Sequence, residues 1–315
     1  MAGKKTTKRS LITVIIPVFH NELSLGILFD RLEEVEKSLR KIEIELEIIA
    51  VEDGSSDNSF TVLKQIQTQR PDTVIIRHTR NFGSISAIKT GLGFGSGSAF
   101  VILAADLQDP PELILAMAEA WKSGSKFVIC ERSTRDDPLA SKIFSRLFYV
   151  FLRKFIMQDY PKGGFDLSLF DAALLPNVLK SSKSTYIPVL LWWLGYEPQI
   201  IEYSRVKRLH GKSQWTFAKK VSAFLDIMFT FSFFPIRLLL MSGTLITLCS
   251  FSYGFYIFIN AINQKVSVPG FATISIFLAF ISGTFFLSIG ILGEYVSKVF
   301  QQLNGRPDAV VRDVS

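Results

Sequence analysis

The sequence predicts an α/β domain built on a mostly parallel sheet, followed by helices that lie along a membrane and then cross it. Two patterns carry that expectation. Through the first two-thirds, β-branched apolar runs alternate with stretches of helical periodicity, the order of a parallel sheet covered on both faces. Beyond them, Leu238–Ile259 and Val266–Gly293 hold no charged residue. Each is long enough for a membrane helix, which needs about 20 apolar residues.

The elements follow in order. Leu11–Phe19 (LITVIIPVF) is continuous and β-branched, like a strand buried on both faces. It is too short for a secretory signal and ends in proline rather than a small-residue cleavage site. Leu25–Ile42 has helical periodicity, and Glu45–Asp53 (ELEIIAVED) reads as a second strand. Ser59–Gln69 is a helix opened by DGSSDNS, rich in capping residues. Asp72–Thr79 is a third strand, and Ser84–Gly95 a helix that ends at glycines. Ala99–Asp106 (AFVILAAD) is a fourth strand, followed by a proline-started helix over Pro110–Gly124 and a fifth strand over Lys126–Arg132. Ligands of such sheets sit at the carboxyl ends of the strands. The acidic pairs that close two of them, Glu52–Asp53 and Asp106 with Asp109, are therefore expected along one crevice.

The 315 residues carry a net charge of +7, and 48% are hydrophobic. Mean hydropathy is +0.30, high for a purely soluble protein. A basic balance suits nucleic acid, an anionic membrane surface or a phosphorylated substrate; the membrane pattern favours the last two over nucleic acid. Only Cys130 and Cys249 occur, which excludes a disulfide framework and an all-cysteine metal site. The glycines of GLGFGSGS follow a helix instead of opening one after a strand, so they do not make a dinucleotide loop.

Lys219, Lys220 and Arg237 precede the first uncharged stretch, and Lys298, Arg306 and Arg312 follow the second. Positive flanks stay inside, which puts the α/β domain and both termini in the cytoplasm and the turn at Gln264–Pro269 outside. Trp215–Phe234 mixes cations with aromatics and reads as one or two interfacial helices, or equally as a plain surface helix. The expected organisation is a basic tail (1–10), an α/β domain (11–215), interfacial helices (216–234), two transmembrane helices (235–296) and a cytoplasmic tail (297–315). The tail at 1–10 is either solvated or a contact for anionic lipid.

The motifs IPVFHNE, VEDGSSD, RNFG, ADLQDPPE, GFDLSLFD, RLHGKSQW and IGILGEYVSKVFQQLNGRP occur in that order over nearly the whole chain. In this the sequence resembles the family 2 glycosyltransferases of GT-A fold. More narrowly, it is similar to the polyprenyl-phosphate glycosyltransferases, the group of dolichyl-phosphate mannose synthase and the bacterial undecaprenyl-phosphate sugar transferases. The resemblance implies a nucleotide-sugar donor, a polyprenyl phosphate acceptor, a Mg²⁺ or Mn²⁺ cofactor and a homo-oligomer. It places the donor against Pro17, Glu22, Glu52, Asp53, Arg80 and Asp106.

The chemistry of these residues fits those roles. Asp53 and Glu22 can accept hydrogen bonds from a base or ribose, or simply serve loops and helix starts. Arg80 suits a base or phosphate, or a surface ion pair. Mg²⁺ takes one or two carboxylates and fills its shell with water and substrate phosphates; Asp106 and Gln108 are the candidate ligands. Relatives often carry Asp-x-Asp, and Ala104 stands at the first position here. Asp109, before Pro110, is expected as a helix cap.

Asp166 matches the position taken as catalytic base, with the alternative of a turn carboxylate; relatives often carry Arg where Ser168 stands. A lipid phosphate is already anionic near neutral pH, so Asp166 has an acceptor to position more than a nucleophile to generate. Arg208 and Lys212 match residues that steady charge on the departing diphosphate, or form a basic face against lipid. His210 has no second histidine near it and is not a metal ligand. Two rivals stand beside this reading. A processive polysaccharide synthase would carry Gln-x-x-Arg-Trp, which is absent from the sequence. A non-catalytic membrane scaffold would suit Ala104 but not the retained Asp53, Asp106, Asp166 and Arg208.

Overall fold

The computed structural model describes residues 10–134, 148–182, 185–204, 217–263, 270–303 and 306–315. It divides into two units, one of residues 1–220 with 306–315 and one of residues 221–305.

In the first unit the alternating pattern becomes β1 (Ser10–Val18), α1 (Leu25–Lys41), β2 (Ile44–Glu52), α2 (Ser59–Gln69), β3 (Val74–His78), α3 (Ser84–Phe94), β4 (Ala99–Ile102), α4 (Leu113–Lys122) and β5 (Phe127–Thr134). A helical segment at 148–155 is α5. Then come β6 (Ser168–Asp171), α6 (Leu175–Lys180), α7 (Ile187–Trp193) and β7 (Gln199–Ser204), and near the C-terminus β8 (Val311–Val314). The eight strands lie in the order β7-β5-β6-β4-β1-β2-β3-β8. β4, β1, β2 and β3 are mutually parallel, as expected. β6 runs antiparallel between β4 and β5, and β8 closes the far edge antiparallel to β3.

Hydrophobic burial explains the layers. Ile12, Val14, Ile16 and Val18 of β1 are fully buried together with Leu25, Leu28, Leu32 and Leu39 from one stripe of α1. Each such side chain contributes roughly 1.5–3 kcal/mol when taken from water. α1 packs beside α2 and α4 on this face, and α3 covers β1 and β2.

Two expectations change. The fourth strand was to reach Asp106, but its ladder ends at Ile102 and the chain turns there. The segment expected as a tail at 297–315 does not stay free. Its first residues continue the last helix to Leu303, and Val311–Val314 joins the sheet as β8, where Ser315 and Ile75 exchange backbone hydrogen bonds of 2.8 and 2.9 Å. Lys89, almost wholly buried, donates 2.5 Å hydrogen bonds to Asp308 and to the carbonyl of Ser181.

The second unit holds most of α8 (Phe217–Phe231), with α9 (Phe234–Ile262) and α10 (Phe271–Leu303). α8 and α9 meet at 76°. The break has a local cause: Ser232 Oγ accepts from the Phe234 amide at 3.0 Å, and Pro235 cannot donate to a continuing helix. α9 and α10 pack on each other, with Tyr253 stacked on Phe277 at 5.3 Å. Phe229 meets Tyr295 edge-on, and Asp226 pairs with Lys298. Among the described residues, Phe280–Phe300 is the one straight segment long and apolar enough to cross a membrane, and none of it is buried. The bent pair Val221–Phe231 with Phe234–Ile246 meets the same test jointly. The expected turn at 264–269 lies outside the described residues.

Candidate active site

The carboxyl ends of four parallel strands come to one edge, and each contributes a loop. The loop after β1 locks onto the start of α2. His20 sits at φ 56°, and its Nε2 accepts from the Ser56 amide at 3.2 Å. The Glu22 carboxylate accepts from the Asn58 amide at 2.8 Å, while Asp57 accepts from the Glu22 amide at 3.3 Å. Glu22 thus serves the helix start. Pro17 lies within β1 beside Val51. Glu52 is buried, accepts from the Ser55 amide and pairs with Arg77.

Asp53 organises the third loop. One of its oxygens accepts from the Phe82 amide and meets His78 Nδ1, and the other accepts from the Gly83 amide, all at 2.8 Å. His78 in turn meets the Thr90 hydroxyl at 3.0 Å. Gly54 lets this happen. Its φ is +68°, and a Cβ there would lie 2.5 Å from the carbonyl carbon of Arg80. The VEDG and RNFG segments therefore touch backbone to backbone. Arg80 is left exposed, its guanidinium 4.3 Å from the Phe82 ring centre.

After β4 the chain alternates in burial. Leu103, Ala105, Leu107 and Asp109 point inward, and Ala104, Asp106 and Gln108 are part-exposed. Leu107 holds φ 60°, an uncommon conformation for a residue with a side chain, and its burial at 1% exposure keeps it there. The Ser24 hydroxyl donates to the Ala105 carbonyl at 2.6 Å, and Asp106 accepts from the Gln108 amide at 3.2 Å. Asp106 and Gln108 thus share one side with Ala104. A carboxylate and an amide oxygen are hard donors that fit Mg²⁺ or Mn²⁺ provided a substrate fills the remaining positions. Among the described residues no group of three or more His, Cys, Asp or Glu could hold a metal alone.

Asp109 is not the cap of α4. The residue before that helix is Glu112, with no side-chain cap bond, and Asp109 is buried, accepting from the Tyr203 hydroxyl. Three residues separate it from the helix, beyond the reach of a cap.

The antiparallel strand completes the edge. Ile102 pairs with Ser168, so Asp166, just before β6, arrives beside the end of β4. Tyr186 donates to Asp166 Oδ1 at 2.8 Å and Arg132 to Oδ2. Arg132 is 7% exposed and Asp166 41%. Burial works against the Arg132 charge, but Asp109, Tyr203 and Tyr149 outweigh it and hold the guanidinium pKa above its ordinary value. Glu131 accepts from the Gly163 amide at 2.9 Å. Gly164, at φ +63°, lies where a Cβ would sit 2.0 Å from the Tyr149 hydroxyl. This is the turn that presents Asp166.

Arg208 and Lys212 lie outside the described residues. Arg132, Tyr186 and Tyr203 were missed by the sequence reading. A cation at the end of the fifth strand was a usable signal for Arg132, because that strand parallels β4. The tyrosines gave none.

An open, largely parallel sheet with one antiparallel strand beside β4, and acidic side chains along its carboxyl edge, defines a GT-A-type glycosyltransferase. Residues 13–178 match Glycosyl transferase family 2, and the chain belongs to that family. Across 96% of its length it is 30% identical to a Synechocystis sp. protein named "Uncharacterized glycosyltransferase sll0501", covering 95% of that protein. It is 28% identical to the "Prophage bactoprenol glucosyl transferase homolog" of Escherichia coli, covering 96% of this chain and 99% of that one. Against the SfII prophage-derived bactoprenol glucosyl transferase of Shigella flexneri the identity is 27%, over 96% and 97%. Among solved structures, glucosyl-3-phosphoglycerate synthase from Mycobacterium tuberculosis superimposes with a TM-score of 0.50 at 13% identity, covering 70% of this chain and 79% of that one. That likeness is one of fold.

Proposed function

We propose that this glycosyltransferase moves a sugar, with inversion, from a nucleoside-diphosphate donor to a polyprenyl phosphate at the cytoplasmic face of a membrane. The observation that carries the reading is the placement of Asp166. It is part-exposed and gripped at both oxygens, and stands at the same sheet edge as Asp106. The relatives named for bactoprenol supply the acceptor class. A uridine donor is the favoured one.

In the reaction the acceptor phosphate oxygen bonds to the anomeric carbon. The bond from that carbon to the diphosphate breaks, and its electron pair leaves with the nucleoside diphosphate. The acceptor is already anionic near pH 7, since phosphate second pKa values lie near 6, so no proton has to be removed first. Asp166, fixed by Tyr186 and Arg132, orients the acceptor side. Pro17, Glu22, Glu52, Asp53 and Arg80 belong to the donor side, where Asp53 acts by holding the 80–83 loop. Asp106 and Gln108 would hold the divalent ion, which when bound offsets negative charge on the diphosphate. Arg208 and Lys212 are assigned to the same developing charge.

An acceptor that never leaves the bilayer calls for an enzyme anchored there. We assign α9 and α10 as a transmembrane hairpin, α8 as interfacial, both chain ends as cytoplasmic and the assembly as a homo-oligomer. Support comes from the exposed apolar side chains along both long helices, among them Leu240, Met241, Phe285 and Phe286. Such a surface is unfavourable in water.

The test is to incubate the purified chain with a panel of nucleotide sugars and undecaprenyl phosphate, then weigh the lipid product. A lipid one glycosyl group heavier is expected, formed from a UDP-sugar. Donor binding with no lipid product from any member would overturn the acceptor assignment. Ser267→Cys should react with an impermeant thiol reagent in intact cells; reaction at Ser315→Cys instead would overturn the topology.

A further inference from the structure

Arg132 lies at the end of β5, almost wholly buried, and its neighbours come from separate parts of the fold. Its guanidinium donates to Asp166 Oδ2, and in the β5–β7 ladder Arg132 stands opposite Tyr203. Tyr203 donates to Asp109, one residue beyond Gln108. Asp166 accepts at its other oxygen from Tyr186, at the start of α7. The contacts run Asp109–Tyr203–Arg132–Asp166–Tyr186 and join the loop after β4 to the turn before β6.

The two carboxylates differ in what they offer. Asp109 is 1% exposed and accepts from the Tyr203 hydroxyl in the interior. Asp166 is 41% exposed and stands at the open edge of the sheet. A guanidinium is a rigid planar fork. Anchored on its buried side, it fixes where the Asp166 carboxylate stands on the other. Resting on the transferase reading above, we propose that Arg132 is the positioning residue of Asp166, and that through Tyr203 and Asp109 it ties the acceptor-side carboxylate to the donor-side loop of Asp106 and Gln108.

The experiment is a double-mutant cycle on the full chain in detergent. Wild type, Arg132→Lys, Asp166→Asn and the double variant are compared for sugar transfer at saturating substrates, for donor-nucleotide affinity by calorimetry and for thermal unfolding. Lysine keeps a positive charge but loses the fork. Arg132→Lys should lower transfer roughly tenfold, in the range of a misplaced catalytic group, with donor affinity within about twofold of wild type. A residue that merely holds the fold together would lose both. In the Asp166→Asn background the same lysine should cost no further activity, because residues that act as a unit are not additive. Tyr203→Phe, which cuts the anchor without touching Asp166, should give a smaller loss of the same kind.

A further tenfold loss in the double variant, or donor affinity falling in step with transfer, would overturn the proposal. If the wild type transfers no sugar, the transferase reading falls by itself, and the unfolding data still decide the contact. Non-additive losses of melting temperature would uphold the Arg132–Asp166 pairing, and additive ones would sink it.

Discussion

The two halves of the site are built in different ways. Where we propose the donor, short motifs hold one another through backbone amides: Asp53 takes Phe82 and Gly83, and Glu22 takes Asn58. Around Asp166, where we propose the acceptor, side chains from β5, β7, the residue before α7 and two loops reach one another across the fold. The first kind of site depends on backbone geometry and fails with the loop. The second depends on side-chain atoms and fails in function before it fails in structure.

Breaking a backbone contact should have the largest effect. Gly54→Ala places a Cβ against Arg80 and strains a positive φ, so a loss of about 3 kcal/mol or more is expected, with donor binding lost alongside. Thermal unfolding and calorimetry read both, and a stable protein with normal donor affinity would mean that the VEDG–RNFG contact is dispensable. Asp166→Asn should behave in the opposite way. Donor affinity stays near wild type while transfer falls ~10²-fold, about 2.7 kcal/mol in barrier. Wild-type transfer in this variant would reduce Asp166 to a turn residue.

Asp106→Asn should weaken transfer about tenfold or more, because an amide is a poorer ligand for a hard cation. A chelator should do the same, and Ala104→Asp should be tolerated because it faces the same side. Turnover untouched by chelator would remove the metal from the proposal. Tyr186→Phe deletes one hydrogen bond to Asp166 and should slow transfer several-fold, with a loss of stability of about 1 kcal/mol at most. An equal loss in the Asp166→Asn background would show that Tyr186 acts elsewhere.

The smallest effect is at Cys130. Burial, with the Asp109 charge behind it, pushes its thiol from the ordinary 9.0 to about 12. The folded protein should therefore resist thiol alkylation at pH 8, since the thiolate is the reactive form. Because the folded value is the raised one, this group's stabilising contribution is complete below about pH 9 and fades as pH rises toward 12. Ready labelling of Cys130 in the native protein would contradict its burial.

The sequence by itself determined the parallel core and the acidic edge of the sheet. Continuous β-branched runs such as Leu11–Phe19 permit little besides a buried strand, and the acidic residues of VED and AAD follow directly where such strands stop. Local pattern also set the long apolar helices, because hydropathy needs no partner to be read. Only the tertiary structure decided β6, β7 and β8. They are four to six residues long, too short to show a period, and their edges are set by pairing with distant strands. It also decided that Asp109 turns inward to Tyr203 instead of capping a helix. A carboxylate before two prolines looks like a cap from its neighbours alone, and the tyrosine that claims it lies on a distant strand. Arg132 meets Asp166 because antiparallel pairing folds the chain back, and that is a consequence of sheet register, which no local run of residues encodes.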